Sequence, residues 1–106
     1  MKNTPAMNAQ MISEKAYGRF GDAKKQYLME NQKETWDAML ADGSLDPFLT
    51  TFQQEMEEKA DRMETQMLQK EGVTETLKRQ DPIAYIQRYN NLRSRILEML
   101  NEEIYV

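Results

Sequence analysis

Asp81-Pro82-Ile83-Ala84-Tyr85-Ile86-Gln87-Arg88-Tyr89-Asn90-Asn91-Leu92-Arg93-Ser94-Arg95-Ile96-Leu97-Glu98-Met99-Leu100 reads as one long amphipathic helix. Asp81 can accept a hydrogen bond from the first free helix amides. Pro82 suits the first helical position, where its missing N–H costs nothing. Apolar residues recur at Ile83, Ile86, Tyr89, Leu92, Ile96, Met99 and Leu100, in steps of three and four. These positions are expected to form the buried stripe. Arg88, Asn90, Asn91, Arg93 and Arg95 lie between them as a polar ridge.

A second long helix is expected upstream. Leu45-Asp46-Pro47 repeats the Asp-Pro start signal, and the pattern runs to about Lys70-Glu71, where Gly72 closes it. Its apolar positions are Phe48, Phe52, Met56, Ala60, Met63 and Met67. Two long helices of similar length with a short connection predict an antiparallel pair. Within the connection, Thr74 is placed to cap a helix of one or two turns before Asp81.

Tyr17-Gly18-Arg19-Phe20-Gly21 is a turn that opens an earlier helix, with Lys24 and Lys25 as a basic spot. Residues 19–41 read either as one helix or as two, broken near Asn31 by a capping box with Glu34. Gly43 is the expected left-handed cap. Residues 1–16 read as a flexible arm, with Met7, Met11 and Ile12 available to pin part of it. The expected fold class is therefore all-α. It is a small helical bundle built on two long antiparallel amphipathic helices plus an N-terminal helix or helix pair, one domain over residues 17–106.

Composition supports helix. The chain has 106 residues, 4 Gly, 3 Pro and 9 Met. Valine occurs only at Val73 and Val106, too little β-branching for a sheet. With no cysteine and no histidine, the chain lacks disulfides, thiolate ligands, the commonest metal ligand and the commonest general base. No serine has a histidine to activate it, and no Gly-rich phosphate loop is present. The reading is a non-enzyme without cofactor or metal. No apolar run is long enough to span a membrane, and no signal peptide is evident, so the cytoplasm is the default compartment.

Net charge is −4. It is unevenly spread: residues 1–29 hold five basic and two acidic groups, residues 30–66 three and ten, and residues 67–106 six of each. This argues against a protein that coats DNA and leaves two local candidates. One is a nucleic-acid surface of Lys78, Arg79, Arg88, Asn91, Arg93 and Arg95, with Asn90 beside it. Its plain alternative is solubility and pairing with the acidic helix. The other candidate is a partner-binding face of Glu57, Asp61 and Glu64, spaced i, i+4, i+7 on one helix face. Its plain alternative is a solvated surface.

Several separated motifs resemble one known family. They are Glu71-Gly72-Val73-Thr74-Glu75-Thr76-Leu77-Lys78, Asn90-Asn91-Leu92-Arg93-Ser94-Arg95 and Leu100-Asn101-Glu102-Glu103-Ile104-Tyr105. Upstream, Tyr17-Gly18-Arg19-Phe20-Gly21, Lys25-x-Tyr27-Leu28 and Leu40-x-x-Gly43-x-Leu45 agree in order. Over roughly residues 17–106 the chain is similar to TnpV-like transposon-encoded proteins. The resemblance implies an accessory or regulatory protein of a mobile genetic element, acting by protein or DNA binding, and brings no catalytic residues. Two alternatives stand beside it. One is an inhibitor or adaptor of a host protein, such as an anti-defence (anti-CRISPR-like) protein. The other is a self-associating bundle, a homodimer through its long helix faces.

Overall fold

The computed structural model describes residues 7–106. They form six helices: α1 (Ala9–Glu14), α2 (Arg19–Asn31), α3 (Lys33–Asp42), α4 (Leu45–Lys70), α5 (Glu75–Gln80) and α6 (Pro82–Ile104). No strand occurs among the described residues, so the all-α expectation holds. Contacts divide the chain into two compact units, residues 1–55 with Tyr105, and Met56–Ile104 with Val106.

In the first unit, Ile12, Leu28, Trp36, Leu45 and Leu49 form the buried cluster. Each of α1 to α4 contributes to it. The stretch expected to be a flexible arm is thus a helix over Ala9–Glu14, because Ile12 finds an apolar site at 1 % exposure. Asn8 caps α1 by accepting from the Met11 amide at 2.8 Å. The part of the arm expectation covering residues 1–6 lies outside the described residues.

The basic spot expected at Lys24 and Lys25 is not on the surface; both lysines are buried. Lys25 Nζ donates to the carbonyls of Ile12, Ser13 and Lys15 at 3.3, 3.0 and 2.7 Å. A cation at a helix C-terminus satisfies carbonyls that have no intrahelical partner. Lys24 Nζ lies 5.6 Å from the Tyr27 ring centroid and 5.4 Å from that of Phe52. Burial pulls the Lys24 ammonium below the usual lysine range.

The Tyr17–Gly21 turn is fixed from α4. Gly18 precedes α2 without a side chain to cap it. Gln53 Oε1 takes that role and accepts from the amides of Phe20 and Gly21, each at 2.8 Å. Asp22 Oδ1 accepts from the Tyr17 amide at 2.8 Å. The chain does break between α2 and α3, at Gln32, whose φ is −135° and ψ 56°. The capping box with Asn31 does not form; Asn31 is the last residue of α2 and no side chain caps α3. Gly43 closes α3 at φ 81°, with Ser44 N–H bonded to the Met39 carbonyl at 3.0 Å.

The two Asp-Pro signals diverge. At α6 the expectation holds: Asp81 Oδ1 accepts from the Ala84 amide at 3.1 Å. At α4 the helix starts earlier, and the Ser44 carbonyl accepts from the Phe48 amide at 2.9 Å. Asp46 is then already inside the helix and bonds elsewhere. Its Oδ1 accepts from Tyr17 Oη at 2.5 Å and Lys15 Nζ at 2.9 Å.

The Tyr17 hydroxyl, and after it Lys15, hold the Asp46 carboxyl below its ordinary value against the opposing effect of burial. Burial first, then the bond to Asp46, pushes the Tyr17 phenol above its ordinary range. The depressed carboxyl contributes stability that is present above its unfolded value of about 3.9 and lost as pH falls through the folded value. Wild type is therefore expected to lose more urea resistance than Asp46→Asn between about pH 5 and pH 2. Parallel acid limbs in urea titrations of the two proteins would contradict this.

In the second unit, the C-terminal half of α4 packs antiparallel to α6. Lys59 pairs with Glu103 and Glu64 with Arg93, the crossed order an antiparallel pair requires. Met56 and Ala60 of α4 and Leu92, Ile96, Leu100 and Ile104 of α6 are buried. Between the long helices, the Gly72 turn bonds Val73 N–H to the Leu68 carbonyl at 2.9 Å. Thr74 caps α5 as expected, accepting from the Leu77 amide at 3.2 Å.

The buried line on α6 differs from the expected one. Ile83 is 69 % exposed and Ile86 56 %, and Met99 is exposed too. Each step of three falls about 60° short of a full turn. Three such steps from Ile83 to Leu92 carry the line to the opposite side of the helix.

Candidate functional site

The polar ridge of α6 divides into two sets. Arg93 is half-buried, and its Nη1 donates to Glu64 Oε1 at 2.9 Å. Tyr89 Oη donates to the same oxygen at 2.9 Å. Glu64, one of the three carboxylates expected on a partner-binding face, is therefore turned toward α6. Its hydrogen bond holds the Tyr89 phenol above the usual range. Arg95 donates from Nη2 and Nη1 to the two oxygens of Glu71, at 2.6 and 2.9 Å, and from Nε to Asn91 Oδ1 at 3.0 Å. This paired geometry pulls the Glu71 carboxyl down and raises the Arg95 guanidinium. Arg93, Arg95 and Asn91 thus fasten α6 to α4 and to the turn after it.

The other cations of the expected nucleic-acid set, two on α5 and one on α6, remain outward. Lys78, Arg79 and Arg88 are exposed. Lys78 Nζ lies 5.5 Å from the Tyr85 ring centroid, and Tyr85 stacks on Tyr89 at 6.0 Å. Asn90 is exposed as well. The six residues proposed as one nucleic-acid surface therefore comprise three outward cations and three groups bonded within the unit. On α4, Glu57 and Asp61 are exposed, whereas Glu64 is half-buried.

The first turns of α6 add a feature that pattern reading placed in the core: the outward pair Ile83 and Ile86. One helical turn apart on α6, they form a small apolar patch. The signal that places them outside is the nine-residue separation of Ile83 from Leu92, about two and a half turns.

Among the described residues, no group of three or more His, Cys, Asp or Glu is arranged to hold a metal ion. No described helix is long and apolar enough to cross a membrane. The arrangement offers surface chemistry: an apolar pair and three outward cations on the α5–α6 hairpin, with an acidic stretch on α4.

No curated protein and no solved structure matches this chain. The family model for the transposon-encoded protein TnpV matches residues 3–105, nearly the whole sequence. That match covers the motifs that carried the resemblance, and the chain belongs to the TnpV family of transposon-encoded proteins.

Proposed function

We propose that this TnpV-family protein is a non-enzymatic accessory or regulatory factor of its mobile element that acts by binding another protein. The observation that carries this reading is the division of α6. Arg93 and Arg95 are engaged by Glu64 and Glu71, while Ile83 and Ile86 face outward at the opposite end of the same helix. A DNA-binding surface draws its affinity from free cations over phosphates. Ion pairs within the unit lower that supply, and the net charge of −4 opposes it further. Exposed aliphatic side chains suit a protein partner. The absence of histidine and cysteine from the sequence supports a non-catalytic role. The partner belongs to the element or to the host; a host partner would make the protein an inhibitor or adaptor.

The test pairs two measurements on the full chain. The first is gel shift with DNA from the element ends at about 50 mM salt, where non-specific electrostatic binding is strong. No shift is expected. The second is capture of element-encoded and host proteins by wild type and by the Ile83→Asp/Ile86→Asp double variant. A partner retained by wild type is expected to lose at least about tenfold in affinity with the variant, at unchanged helix content. A DNA shift that weakens steeply with salt and is abolished by Arg79→Ala and Arg88→Ala would overturn the proposal. It would place DNA on the outward cations instead.

A further inference from the structure

We infer that α1 is a latch: it lifts from α2, α3 and the start of α4 as one unit while those helices stay folded, and lifting uncovers Trp36. Three observations converge. The first is the size of the element. At six residues, α1 is far shorter than a helix that persists alone in water. Its closed form depends on what it touches.

The second is how few side chains hold it. Ile12 is its one buried residue. Lys25 Nζ reaches three carbonyls at its C-terminal end, those of Ile12, Ser13 and Lys15, and the Ile12 carbonyl also accepts from the Lys15 amide at 3.2 Å. A further tie among the described residues is the Lys15–Asp46 ion pair at 2.9 Å, whose lysine side chain is 42 % exposed and so open to screening by salt. Loss of the Lys25 contact therefore removes one donor from all three carbonyls together, and they find water as α1 leaves. This is the make-up of a segment that opens locally rather than with the whole protein.

The third is what lies beneath. Leu28, Trp36, Leu45 and Leu49 complete the cluster that Ile12 enters. They come from α2, α3 and α4, which keep their own packing when Ile12 withdraws. Opening turns the seat of Ile12 into an apolar recess beside the only tryptophan of the chain. The first unit thereby hides apolar surface whose exposure is set by Lys25 and Ile12.

Native-state hydrogen exchange on the full chain tests the latch. The Ile12 and Lys15 amides bond to the Asn8 and Met11 carbonyls within and beside α1. They are expected to exchange at least about tenfold faster than the amides of Leu28 and Leu49, with little dependence on urea. Equal rates and equal urea dependence at all four would overturn the inference, because α1 would then open only with global unfolding. Ile12→Asp supplies a second arm. The variant is expected to keep the protection of α2 and α4 while its Trp36 becomes at least about twofold more quenchable by acrylamide. Loss of protection throughout α2 and α3 would show α1 to be part of the indivisible core and would likewise overturn the latch.

Discussion

Gly18→Ala is expected to destabilise the first unit by about 3 kcal/mol, the sum of a backbone penalty and a broken cap. Gly18 has φ 115° and ψ 179°, a conformation almost closed to residues with a Cβ. Space is missing as well. A Cβ there would lie 2.5 Å from Gln53 Cδ and 2.6 Å from its Nε2. The Gln53 amide cannot yield without cost, since its Oε1 serves the Phe20 and Gly21 amides. Displacing it leaves two donors at the start of α2 without their acceptor. Gly72→Ala is the control. Its φ of 69° also disfavours a Cβ, but nothing lies within 4 Å of the place the Cβ would take. It should cost only about 1 kcal/mol. Urea unfolding followed by circular dichroism compares the two, and equal midpoints would refute the role given to Gln53.

The second large effect sets one substitution against itself on a single helix. Ile96→Ala should cost about 2–5 kcal/mol, because Ile96 is 0 % exposed and its removal leaves a cavity between α4 and α6. Ile83→Ala should change stability by no more than about 0.5 kcal/mol, since its side chain is largely in water. Both residues are isoleucines of α6, and both satisfy the apolar spacing expected of a core stripe. A matching loss at the two positions, measured by urea unfolding, would return Ile83 to the core and remove the apolar patch from the proposed partner surface.

These contrasts show how far local pattern reaches. Asp81-Pro82 and Asp46-Pro47 are the same dipeptide, yet only Asp81 caps its helix. Asp46 meets Tyr17 and Lys15, residues 29 and 31 positions away, and no local rule anticipates that. Lys24-Lys25 looks like a basic spot on any helical wheel. Lys25 is drawn inside because the end of α1 presents the carbonyls of Ile12, Ser13 and Lys15 to its Nζ. The Gly18–Gly21 turn was legible as a turn, while the partner that explains Gly18, Gln53, lies on another helix. In the ridge, charge grouped Arg88, Arg93 and Arg95 as a set, and Glu64 and Glu71 determine that the last two hold α6 in place.

By itself the sequence determined the helical class, the C-terminal end of α4, the start of α6 and the caps at Gly43, Thr74 and Asp81. Those features depend on near neighbours: helix propensity, capping chemistry and spacing along one helix. Only the tertiary structure decided which apolar residues are covered, which cations are engaged, and that part of the N-terminal stretch belongs to a core. Burial and ion pairing depend on what another helix brings to the same place. Ile83 and Ile86 continue the three-residue steps of an apolar pattern, yet no described helix covers them and they are left outward.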